Sequence, residues 1–525
     1  MLTTYVVLHA RWLGIKGHRK KGLGIKWQDD RMYSLGIWFC KDKQQDEDRN
    51  IWNAFEKCNK TLQKWSLRKL SLKGRITVIK SYALPKLLYV ANNIHVPTEF
   101  IKKVNNVFFQ YLWEDKPDKV KRETMIQDYG NGGMRMLNFE FMIKAMKAMW
   151  IKRMHLNYNA NWLLYLKSSI SMEPSDFIKC NLDKKKIPYK LSNFYEQVFS
   201  SWAEIRDLSY DLTDPWNIRR QSIQFNKHIL SDKTYFNQFW NSNLYSDNIK
   251  IIHDLCHNNG TLMNRQQLET TYNINISTLE FNSLVSSIPR DWKMILCEQK
   301  IIRQAIHNTE PVYIKIHTEE KHIKDITNRD LYRILINNNS HWDEKCMHYW
   351  KGIFQRDINW KKVFGLCKID CKAKIQSFQY SIIHNFFPCN LYLSKWKENF
   401  SSECKDCGNV DTLVHYFFEC PNVTNFWKSL SEWLNNAIQA DPRINLDCCD
   451  IMLGKLSPKE NTIVINFVLL QAKWFIYCKK LNNNNIVFKE FRQKLMYRLQ
   501  IEEQRYHIKD DFESFIEIFE SIYSK

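Results

Sequence analysis

The chain has 525 residues, which at ~150 residues per domain is a prior of about three domains, and its 44% apolar and 25% charged content is ordinary globular composition. This excludes wholesale disorder, collagen-like repeats and a membrane bundle, and with only 14 Gly and 12 Pro a mainly β protein rich in tight turns is excluded as well. With 77 Lys+Arg against 56 Asp+Glu the net charge is +21, which points to a polyanionic partner such as nucleic acid or an acidic membrane surface.

Met1 to Ala10 has no basic region before its apolar residues and no small-residue cleavage site, so no secretory signal is expected. Fifteen scattered cysteines, an odd number, fit a reducing compartment better than a disulfide framework, so the expected location is intracellular, cytoplasmic or nuclear or both. Next come Arg11, Lys16, Arg19, Lys20, Lys21 and Lys26, interleaved with Gly14, Gly17, Gly22 and Gly24. A flexible basic loop of this kind can follow a phosphate backbone, which makes Arg19, Lys20 and Lys21 candidate nucleic-acid contacts. Its spacing matches neither a P-loop nor a dinucleotide fingerprint.

Leu35 to Phe39 has the alternation of a short strand, closed by the polar run Lys41 to Asn50. Helical periodicity then places Ile51, Phe55, Leu62 and Trp65 on one face, and continues from Leu70 to Asn92 until Pro85 kinks or breaks it. Pro97 opens a further helix that buries Ile101, Val104, Phe108 and Leu112, exposes Lys102 and Lys103, and stops at Asp115 to Pro117. Charge is concentrated here. Residues 1–155 carry a balance of +16 and residues 156–525 only +5, and the 42 residues 57–98 contain nine cations and no acid. Lys64, Arg68, Lys69, Lys73, Arg75 and Lys80 in that window are the main candidate phosphate contacts, with Lys57, Lys60 and Lys86 beside them.

A turn at Gly130 to Gly133 leads into Asn138 to His155, a Met- and aromatic-rich helix expected in the core. Residues 156–340 give no repeat and no clear boundary. The most apolar stretch, Ile463 to Tyr477, is interrupted by Asn466, Gln471 and Lys473 and reads as a buried helix too short to span a membrane. Asn482 to Asn485 reads as a loop and Asp510 to Tyr523 as a terminal helix.

The sharpest chemical motif is Cys404, Cys407, His415 and Cys420, a C-x2-C-x7-H-x4-C pattern closed by Gly408 after the first pair. Three thiolates and an imidazole within 17 residues suit one tetrahedral Zn, and since all four positions are filled the site is expected to be structural. Cys367 with Cys371, and Cys448 with Cys449, lack a second half and read as buried thiols.

Several stretches together resemble the C-terminal part of the reverse-transcriptase polyprotein of LINE-type, non-LTR retrotransposons. Trp12 to Gly14, Gly24 to Trp27 and Leu35 to Ile37 resemble the segment after the palm. Trp65 to Arg75, Val78 to Ser81 and Leu84 to Tyr89 resemble the thumb, continued by Phe109 to Trp113 and Gly132-Gly133. Phe378 to Tyr380, His384, the Cys/His cluster and Phe426-Trp427 are similar to the family's zinc-binding region. The match is good over 11–155 and 345–430, moderate beyond 430 and poor between.

The resemblance implies a mainly α protein with a small N-terminal strand element. Its segments would be a palm edge (1–50), a basic helical thumb (51–155), an unassigned helical linker (156–340), a zinc-binding region (341–430) and a C-terminal helical region (431–525). The family's palm aspartates and endonuclease are not matched: Asp29-Asp30 follows the Trp-Leu-Gly segment, and Asp510-Asp511 comes far too late. The expected function is thus RNA or DNA binding through phosphates by a non-catalytic transposable-element fragment carrying one structural zinc, with no membrane association. The rival readings are a zinc-stabilised protein-interaction module and a nuclease after the knuckle, for which Asp441-Pro442 is in the wrong order for a Pro-Asp motif and Asp447, Asp450 and Lys455 are only loosely arranged.

Overall fold

The computed structural model describes residues 31–40, 43–157, 159–208, 212–232, 234, 237–257, 259–298, 313–316, 319–338, 344–368, 372–439, 443–456 and 461–523. The chain is mainly helical, as its composition and periodicity predict. Strands among the described residues form three antiparallel pairs, Arg31–Ser34 with Ile37–Cys40, Leu230–Asp232 with Asn237–Gln238, and Tyr313–Ile316 with Glu319–His322.

The first pair corrects the single strand expected at Leu35 to Phe39. Leu35 and Gly36 are the two turn residues, with φ of +48° and +82°, between Ser34 and its partner Ile37. Positive φ at both positions matches the right-handed twist of a tight hairpin, which alternation alone does not reveal. The polar run after it is a correction too, because the helix Lys43–Ser66 starts inside it. Lys, Gln and Glu are good helix formers, and their polarity had concealed this. Asn50, buried on that helix, ties it to the hairpin: Trp38 N donates to Asn50 Oδ1 at 2.8 Å, and Asn50 Nδ2 donates to Trp38 O at 2.8 Å.

Ile51, Phe55 and Leu62 are buried as the helical period requires, while Trp65 is half-buried. The predicted run from Leu70 to Asn92 is divided. Ser71 caps Leu72–Val78 by accepting from Gly74 N at 3.2 Å, a π turn covers Ile79–Ala83, and Pro85 begins Pro85–Asn93. Proline has no N–H and its ring crowds the carbonyl four residues back, so a widened turn precedes it. Thr98–Trp113 buries Ile101, Val104, Phe108 and Leu112, then reverses at Glu114 and Asp115, both at positive φ.

The chain forms two compact units. The first comprises the described parts of Met1–Lys60, Leu84–Asn106 and Asn138–Asn339. Its axis is Phe139–Leu156, capped by Asn138 and packed by Asn193–Asp207 and Asn328–Asn338; Phe139, Ile143, Ala145, Ala148 and Ile151 are buried, as expected of a core helix. The region that gave no sequence signal has its own core around Ile218, Ile223, Ile249, Leu268, Leu284 and Trp292, assembled from short helices too brief to show a period.

The second unit comprises the described parts of Thr61–Ala83, Val107–Leu137 and Ser340–Lys525. Its turn at Gly132 (φ +77°) and Gly133 tolerates no side chain, since a Cβ on Gly133 would stand 2.0 Å from Gln127 O. Its central helix, Thr462–Leu481, is 20 residues, longer than the apolar stretch that marks it, so by length and composition it is sufficient to cross a membrane. Most of it is nevertheless buried in the unit, including Lys473, whose Nζ donates to Gln379 Oε1 at 2.7 Å and Met452 O at 3.1 Å. The Asn482 to Asn485 loop leads to Phe488–Ile508 and the terminal helix Phe512–Tyr523, both as predicted in place.

Candidate metal centre

The four motif residues meet. Their ligand atoms all lie within 4.8 Å of one another, with Cys404 Sγ to Cys420 Sγ at 3.9 Å and Cys407 Sγ to His415 Nε2 at 3.3 Å. Four ligand atoms gathered this closely make the cluster able to hold a single metal ion.

Local sequence explains the convergence. Glu403 bridges Val410, Cys404 N donates to Asn409 O at 2.7 Å and Gly408 N returns to Cys404 O at 2.9 Å; Gly408 takes φ +77°, and the tight loop turns both thiols inward. Thr412 Oγ1 accepts from His415 N at 2.9 Å and starts the π turn His415–Glu419, in which Cys420 N reaches His415 O at 3.1 Å. Cys420 is then the N-cap of Pro421–Ile438, and the fixed φ of Pro421 suits the first turn of that helix. The wider turn spaces His415 and Cys420 five residues apart on one side.

Packing holds this frame rigid. Phe417 is fully buried against Phe378 and Phe387, and Trp427 Nε1 donates to Phe417 O at 2.6 Å. Asp411, also buried, accepts from Asn390 N at 2.9 Å, and Asn390 Nδ2 bonds Glu403 O at 2.7 Å. Asp411 and Asn390 were not singled out by sequence, since a lone Asp and a lone Asn carry no spacing signal. Burial pushes the Cys404 thiol up to about 11, so without a cation it stays protonated; a bound divalent ion reverses that preference. Cys404, His415 and Cys420 are buried and Cys407 half-buried.

The other cysteines are free thiols where described: Cys367 and Cys449 are buried and Cys448 half-buried, while Cys371 lies outside the described residues. The loosely arranged acids serve the fold. Asp447 caps Cys448–Leu453 and pairs with Arg356 at 2.9 Å, and Asp450 pairs with Lys455 at 3.1 Å. Asp441 and Pro442 fall outside the described residues, as do Arg19, Lys20, Lys21, Asp29 and Asp30.

The basic candidates of the second unit divide into two groups. Lys64, Arg68, Lys69 and Lys80 are exposed, Arg68 lying over the Trp65 ring at 4.7 Å. Lys73 and Arg75 are half-buried and engaged: Lys73 Nζ donates to Gln376 Oε1 at 2.5 Å, while Arg75 donates to Leu112 O at 3.0 Å and pairs with Glu114. Lys57 and Lys60 belong to the first unit, where Lys60 pairs with Glu56 at 3.4 Å.

Fold and site together define a mainly helical protein with a Cys3His cluster able to hold one metal ion. No protein-family model matches the chain.

Proposed function

We propose that the chain is a nucleic-acid-binding, non-catalytic C-terminal portion of a non-LTR retrotransposon reverse transcriptase, acting inside the cell, with one structural zinc in the knuckle. The observation that carries the reading is the exposed group Lys64, Arg68, Lys69 and Lys80 within 42 residues that contain no carboxylate. Lys80 has Asp128 within electrostatic reach, whereas Lys64, Arg68 and Lys69, in a stretch that holds no acid, gain most from a phosphate array, because each contact releases a condensed counterion. Zinc is favoured by the donor set. A tetrahedron with Zn–S of about 2.3 Å and Zn–N of about 2.0 Å has S···S edges near 3.8 Å and S···N edges near 3.5 Å; the Cys404–Cys420 and Cys407–His415 pairs stand at 3.9 and 3.3 Å, and every pair lies within 4.8 Å. Soft thiolates also select zinc over Mg or Ca.

The test is binding of a fluorescent blunt duplex to the whole chain across a salt series, for the wild type and for Lys64, Arg68, Lys69 and Lys80 all changed to Gln. If all four reach phosphates, the variant binds more weakly to every sequence and its log–log salt slope is shallower by roughly 3 to 4. Equal affinities and slopes overturn the reading. Salt-insensitive capture of a protein instead would support the knuckle as a protein-interaction module.

A further inference from the structure

We propose that a cleft inside the second unit is a binding site for single-stranded nucleic acid, holding unpaired bases by stacking. The proposal rests on the nucleic-acid reading but on different residues from the exposed cations that carry it. The cleft has a volume of about 670 Å³ and lies among the end of Thr98–Trp113, the helix Ala373–Ile383, the segment Phe386 to Lys397 and Thr462–Leu481. That size falls within the ~300–1,000 Å³ of ligand clefts.

Two properties coincide there. The first is an aromatic lining: Trp113, Phe386, Tyr392, Trp396, Trp474 and Tyr477. Trp113 and Phe386 are locked edge to face at 5.7 Å and form a wall, whereas Trp396 is 62% exposed and Tyr392, Trp474 and Tyr477 are half-buried, leaving ring surface accessible. A large indole kept at the mouth of an apolar cleft costs hydration in the isolated chain, and a stacked partner recovers that cost.

The second is a cationic rim formed by Lys116, Lys119, Lys374 and Lys397. Lys119 Nζ stands 4.7 Å from the Trp396 ring centre and 5.8 Å from that of Tyr392, and Lys374 Nζ stands 5.3 Å from Trp474. The carboxylate in the lining, Glu114, is already paired with Arg75 and lies 3.8 Å from Lys116. An ammonium over one face of an exposed ring, with the other face open to stacking, serves a ligand that is flat and apolar on one side and anionic on the other. A nucleotide has that form: its base faces the ring and its phosphate the lysine. A duplex does not fit, since its bases cover one another's faces and offer none to stack on the rings. An apolar peptide leaves the rim charges unanswered.

The experiment compares wild-type whole chain with Tyr392→Ala/Trp396→Ala on three fluorescent probes of equal length: oligothymidine, an abasic strand of the same charge, and a blunt duplex. Wild type should prefer oligothymidine over the abasic strand. The double variant should lose about 10-fold or more on oligothymidine, bind both single strands alike, and keep its duplex affinity. Trp396→Phe should retain most of the preference. Since Trp396 is exposed, the variants should fold, which an unchanged circular dichroism melt checks. Equal wild-type affinity for oligothymidine and the abasic strand, or an equal loss on duplex and single strand, overturns the stacking site while leaving duplex binding by the exposed cations in place. Absence of binding to all three probes removes the nucleic-acid reading itself, and this proposal with it.

Discussion

The metal knuckle and the basic stretch 57–98 are both legible in the sequence, but they differ in how much of their role the sequence settles. The knuckle's four ligands lie within 17 residues, and short-range constraints, a Gly408 turn, a Thr412 cap and a π turn, bring them together. The cations of the basic stretch are equally plain in the sequence, yet tertiary contacts turn Lys73 and Arg75 inward and leave Lys64, Arg68, Lys69 and Lys80 to solvent. A site made by local geometry can be read from spacing. A site made by surface charge cannot, because exposure is decided by what packs nearby.

The largest expected effect tests the knuckle. Metal analysis of purified protein should find one zinc per chain, and Cys404→Ser or His415→Ala should abolish it and lower stability by several kcal/mol, because metal binding and local folding are coupled. A chain that melts identically with and without a strong chelator would show that the Cys3His cluster holds no structural ion.

Next comes a charge that the fold buries outright. Arg498 and Glu502 pair on Phe488–Ile508 with side chains 6% and 3% exposed, and Arg505 joins Glu502 at 2.7 Å. Glu502→Gln should destabilise by about 3–5 kcal/mol, since it leaves a guanidinium buried without its countercharge. A loss below 1 kcal/mol in chemical denaturation contradicts this.

Lys473 gives a pH signature. Burial drives its ammonium down to about 7 from 10.5, opposed by the nearby Cys367. Between pH 7 and about 10.5 the unfolded chain therefore holds more protons at this site than the folded one, so its contribution to stability rises with pH, and below pH 7 it is flat. Stability of the wild type relative to Lys473→Met should rise by about 2 kcal/mol from pH 7 to 9, and a pH-independent difference would refute the assignment.

The smallest effects separate the two kinds of cation. Arg75→Gln should cost about 1–3 kcal/mol of stability by removing bonds to Leu112 O and Glu114. Lys64→Gln should stay within about 0.5 kcal/mol while reducing the duplex salt slope by about 1. Reversal of that pattern in paired melting and binding measurements would show that exposure in the fold does not sort these residues.

The sequence by itself determined the helical class, the core faces of Ile51 to Leu62 and of Ile101 to Leu112, the core helix after the Gly132-Gly133 turn, and the four knuckle ligands, because each is encoded by a period or spacing shorter than one element. Only the tertiary structure decided the rest. The Leu35-Gly36 hairpin needed a backbone conformation that alternation does not report. The core around Ile218 and Trp292 and the aromatic cleft at Trp396 gather residues far apart in the chain, and Lys73 and Arg75 acquired partners 303 and up to 39 residues away. Such placements follow from which surfaces exclude water together, a property of the assembled chain that no local stretch contains.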